Sequence, residues 1–134
     1  SAAGTITWLQ DVTIDDSGNV LVKGVGCLGY GTGAGGTVTQ ATSRTTGVTL
    51  SKSCGAITLV SAAGSTSWQS FTVTNTLVAA TDVVHVCQKS GTDLYEIHVT
   101  NVAAGSFKVS FKTTSGTTTE QPVFNFTVLK AVTS

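Results

Sequence analysis

Three cysteines, two histidines and seven carboxylates are the reactive side chains that this 134-residue sequence offers. Cys27, Cys54 and Cys87 stand far apart, with none of the close pairs that structural zinc sites use. An odd count cannot pair completely within one chain. Three buried, small, reduced cysteines are therefore expected, as in a protein assembled in a reducing compartment. His85 and His98 fall on successive predicted strands. Alternation puts His85 on a face with Val83 and Cys87, and His98 on a face with Leu94 and Glu96. If those strands pair antiparallel, the imidazoles approach each other or Glu96, and a histidine pair at a subunit interface would make assembly pH-sensitive. A nucleophilic set would need an activated hydroxyl, yet none of the fourteen serines sits in a Gly-x-Ser-x-Gly turn. Glycoside cleavage needs two acids some 5–10 Å apart in a cleft. Here Asp15 and Asp16 fall in a turn, while Asp82, Asp93, Glu96 and Glu120 are scattered near strand ends. Neither an enzyme, a metal site nor a cofactor is expected.

Aromatic rings are the remaining resource for recognition. Trp8, Tyr30, Trp68 and Tyr95 each combine a flat apolar body with a polar tip, which suits stacking on a sugar ring or anchoring an interface. Trp68 is the most suggestive, because Ser67, Gln69 and Ser70 surround it with hydrogen-bonding groups. The candidate carbohydrate-binding set is therefore Trp68, Gln69, Tyr95, Trp8 and Tyr30. Packing on the core or on a neighbouring subunit is the alternative role for each ring.

The elements that must position these residues are strands. From Thr37 onward, period-two segments recur at 37–40, 47–51, 55–60, 67–76, 82–89, 94–102, 106–114 and 122–132, with turn residues between them. Phe124, Phe126 and Val128 alternate with Asn125, Thr127 and Leu129, and Phe107, Val109 and Phe111 alternate with Lys108, Ser110 and Lys112. The phenylalanine stripes mark the core. Pro122 opens the last segment, where a strand tolerates a missing donor. Before these, Ile6, Trp8 and Val20–Val22 read as short extended runs joined by Asp15-Asp16-Ser17-Gly18-Asn19, a strong turn signal. A glycine-rich stretch, 26–36, follows without the helix and lysine of a phosphate-binding loop, and reads as a connector. The expected architecture is an all-β, antiparallel, jelly-roll-like sandwich of about eight strands over 37–134. A hairpin and connector over 1–36 precede it.

Composition agrees and excludes several partners. Only 10% of residues are charged and the net charge is zero, with 25 Thr, 18 Val and 15 Gly. Such a chain has no basic footprint for nucleic acid or anionic lipid. It contains no apolar run of the ~18 residues that a membrane span needs. The excess of β-formers over helix-formers argues against helices and against disorder. A neutral, ion-poor β protein also risks edge-to-edge pairing, so its edges must close within the fold or against other copies of itself.

Two stretches carry a family resemblance. TIDDSGNVLVKG resembles the short beads that recur in fibre and tailspike proteins of tailed phages. GLGYGTGAGGTVTQATSRTTGVTLSKSCGAITL, TNTLVAATDVVHVCQKSGTDLYEIHVTNVAAGSFKVSFKTTSG and PVFNFTVLKAV resemble a C-terminal module of tail fibres, tailspikes and related virion structural proteins. The resemblance spans about Thr13 to Ala131. It implies a β-sandwich at the tip of a homotrimeric virion fibre, and a chain cut from the C-terminal end of a longer one. It also implies binding of host-surface carbohydrate without catalysis or, alternatively, a purely structural role as trimerisation cap, head fibre or capsid decoration. No catalytic residue is implied.

Overall fold

Twelve strands follow one another along residues 12–133, the part of the chain that the computed structural model describes, and none of it is helical. They are β1 (Val12–Ile14), β2 (Val20–Val22), β3 (Gly35–Thr39), β4 (Val48–Thr49), β5 (Cys54–Thr58) and β6 (Ala62–Ala63). β7 (Gln69–Thr74), β8 (Val83–Ser90), β9 (Leu94–Ala103), β10 (Ser106–Ser115), β11 (Thr119–Glu120) and β12 (Val123–Leu129) complete them. Each of the eight expected segments carries a strand. The pair β6–β11 was not expected, because two alanines and a Thr-Glu step show no alternation.

The hairpin β1–β2 forms where Asp15 caps its own turn. Its Oδ1 accepts the N–H of Ser17 at 3.0 Å and of Asn19 at 2.9 Å, and Gly18 takes φ +82°. The strands it joins are Val12–Ile14 and Val20–Val22, whereas the expected Ile6 and Trp8 run lies outside the described residues. The connector also ends earlier than expected, since Gly35 and Gly36 already belong to β3.

Two four-stranded sheets, β4-β7-β10-β9 and β3-β5-β12-β8, make the sandwich. Inward residues of both meet in one core. Phe111 stacks edge-on against Phe124 with centroids 5.5 Å apart, Tyr95 does the same at 5.5 Å, and Phe107 meets Phe126 at 5.4 Å. The phenylalanine stripes are buried as alternation required. Burying rings of this size is the main favourable term in a fold so poor in ions.

The sheets are mixed and not purely antiparallel: β3 joins β5, and β4 joins β7, in parallel. Connectivity explains this. The chain crosses from one sheet to the other between β3, β4, β5, β7, β8 and β9 in turn, reversing direction each time. Alternate strands therefore point the same way, and where two of them become neighbours the pairing is parallel. The same crossings separate β8 from β9, so His85 and His98 stand on opposite outer faces and do not pair.

Candidate functional site

Two clusters on this framework each bring together an aromatic ring, a cation and a carboxylate. The first is buried at one end of the sandwich. Arg44, only 3% exposed, donates through Nε to Val60 O at 3.1 Å and through Nη1 to Tyr95 Oη at 3.1 Å. Its Nη2 donates to Ala62 O at 2.6 Å and Glu120 O at 2.7 Å, clamping β6 to β11. Tyr95 Oη in turn donates to Glu120 Oε1 at 2.9 Å. The same carboxylate accepts the N–H groups of Thr92 and Asp93. Burial, then the bond to Glu120, pushes the Tyr95 hydroxyl up to about 12. Partial burial opposes ionisation of Glu120, but the bonds from Thr92, Asp93 and Tyr95 outweigh it and hold the carboxyl below its usual range. With every member already bonded, this cluster is a structural clamp.

The second cluster lies on the outer face of β4-β7-β10-β9. Phe71 and Val73 of β7 point inward, so Trp68, Ser70 and Thr72 point outward. Register sets Lys112 of β10 opposite Glu96 of β9, and Ser110 between Ser70 and His98. Lys112 Nζ sits 4.9 Å from the Trp68 ring centroid and 3.3 Å from Glu96 Oε2. The His98 ring lies 5.5 Å from that of Trp68, inclined by 48°, and its Nε2 is 3.1 Å from Glu96 Oε1. The bond to His98, then the one to Lys112, holds the Glu96 carboxyl below its usual range. An ionised carboxylate only accepts, so the His98 ring donates to Glu96 through Nε2. Trp68 remains 50% exposed. On its other side β4 pairs with β7 only at Val73 and Thr74, so among the described residues no strand flanks the indole there.

Among the described residues, the expected site residues do not converge. Trp68 is exposed, but Gln69 has the parity of Phe71 and belongs to the inward side, half-buried. Tyr95 is a core ring whose hydroxyl is fully engaged, and no sugar reaches it. Tyr30, half-exposed, bonds through its hydroxyl to Val128 O of the other sheet. Together with Leu28, Thr127 and Leu129 it lines an apolar groove there. Trp8 lies outside the described residues. Sequence reasoning placed Glu96 and His98 on one face and Lys112 outward, but missed that all three meet at Trp68. Cross-strand register, which no local pattern encodes, brings them together.

Among the described residues no three metal-ligating side chains group together. The cysteines are free but not buried as expected: Cys27 and Cys87 are exposed, Cys87 because it shares the outward parity of Val83 and His85, and Cys54 is half-buried. Ser110 Oγ bonds Thr100 Oγ1 at 2.8 Å. Fold and face together define an all-β sandwich bearing a half-exposed indole with the Lys112 ammonium over its ring and the His98 ring beside it. The chain matches no protein-family model, no curated protein and no solved structure.

Proposed function

We propose that this chain is the C-terminal domain of a phage tail fibre or tailspike, a module that trimerises at the fibre tip and binds host-surface carbohydrate through Trp68 without catalysis. The observation that carries the reading is the half-exposed indole ringed by Lys112, Glu96 and His98. Pyranose rings have one apolar face and a hydroxyl perimeter. The exposed part of an indole with an ammonium and an imidazole against it complements both. A single exposed platform of this kind binds weakly, and three on one tip would act together. The virion setting rests on the sequence resemblance. Replacing Trp68 by Ala should abolish adsorption to host cells while leaving the melting temperature near that of the parent. Unchanged adsorption would remove the carbohydrate site from the proposal. A monomeric mass in solution would remove the trimer.

The purely structural reading has its own support in an exposed apolar cluster on the other side of the molecule. Leu28 is 87%, Leu129 65% and Val83 55% exposed around the Tyr30 groove. Contiguous apolar surface of this kind marks contact with another protein surface. A trimer that ignores glycans and cells would favour it.

A further inference from the structure

Resting on the carbohydrate reading of Trp68, we propose that the ligand is an acidic saccharide, whose ring stacks on Trp68 and whose carboxylate pairs with Lys112. The charge on this face points there. Its outward residues with fixed charge are Lys108, Lys112 and Glu96, which sum to +1 (two lysines less one glutamate), in a chain whose net charge is zero. Glu96 already accepts from two sides, from Lys112 at 3.3 Å and from His98 at 3.1 Å. The ammonium has three donors, and among the described residues Glu96 is its one ion-pair partner. Because it covers part of the indole, a ring stacked on the exposed remainder comes to lie beside its unused donors. A uronic or sialic acid ring presents an apolar face with a carboxylate on its perimeter, so one ligand meets both groups at once. A neutral sugar would leave the ammonium partnered only by Glu96 and water.

The test uses oligosaccharides in pairs, each uronic- or sialic-acid oligomer beside its carboxyl-reduced counterpart, titrated by calorimetry into the full chain. At least one acidic member should bind about tenfold more tightly than its reduced partner, the effect of one charge-assisted hydrogen bond. Lys112→Gln should erase that preference and keep the weaker binding common to both members of the pair. Trp68→Ala should lose both, and unchanged melting of the two variants would show that they fold. Equal affinity of acidic and reduced members would overturn the proposal and leave Trp68 as a site for neutral sugar. Absence of binding across the whole panel would overturn the carbohydrate reading itself.

Discussion

The Arg44–Tyr95–Glu120 and Lys112–Trp68–Glu96 clusters share one chemical inventory and differ in where the solvent is. In the first, the guanidinium uses four of its five donors on three backbone carbonyls and a phenol, and its burial keeps the fifth from a ligand. In the second, the ammonium and imidazole share one carboxylate beside a half-exposed ring, and spare donors of the ammonium remain. Planarity and five fixed donors suit arginine to tying several chain segments in a dry place, while lysine suits a wet, adaptable one. Availability, more than residue type, separates a clamp from a binding face.

Substitutions should separate the two in order of size. Phe124→Ala, beneath Tyr95 and fully buried, should cost about 3–5 kcal/mol in denaturant unfolding. A smaller loss would mean that the clamp end can collapse onto the cavity. Arg44→Met should cost about 3 kcal/mol, because the carbonyls of Val60, Ala62 and Glu120 lose their donor in a buried setting. Little change would show that water replaces the guanidinium and that the cluster is no clamp. Tyr95→Phe should cost about 1–3 kcal/mol and also alter the pH profile.

The sign of that profile follows from the two shifts. An acid whose folded pKa is raised adds stability below its unfolded value, near 10, and loses it as pH climbs toward the folded value of about 12. The parent should therefore weaken over that alkaline window, and Tyr95→Phe should flatten the loss. Glu120 behaves in the opposite sense. Its depressed carboxyl adds stability above the ordinary glutamate value and gives it up as pH falls below about 4.3. Glu120→Gln should blunt the acid limb of the melting curve. The smallest stability effect belongs to Trp68→Ala, under about 1 kcal/mol, since a half-exposed ring forfeits only partial packing and one solvated cation contact. A large loss there would make Trp68 a structural residue and erase the contrast.

Much of the fold could be read from local pattern. Phe107, Phe111, Phe124 and Phe126 announced their strands because inward and outward residues alternate over seven residues or more. Parallel pairing at β3 and β4 could not be read, because strand direction comes from which sheet each connection enters. Nor could β6 and β11, which exist because Arg44 reaches both from elsewhere. Within the candidate site, Tyr95 and Trp68 looked alike as polar-tipped rings. Alternation of Tyr95 with Glu96 and His98 already placed it on the opposite side from those charges, and hence inward. Whether Trp68 would meet Lys112 depended on the pairing of β7 with β10, fixed only once the core stripes of both strands are in register.

The lacing of the chain through both sheets has a kinetic meaning. Of the six pairings inside the sandwich, only β9 with β10 joins consecutive strands. The other five close only after distant segments have found each other, which slows folding and leaves few partial structures able to persist. In the reverse direction, no sheet can peel away by itself, because nearly every connection returns to the opposite layer. Such a domain should open rarely and all together, a property measured by slow, single-phase hydrogen exchange across both layers.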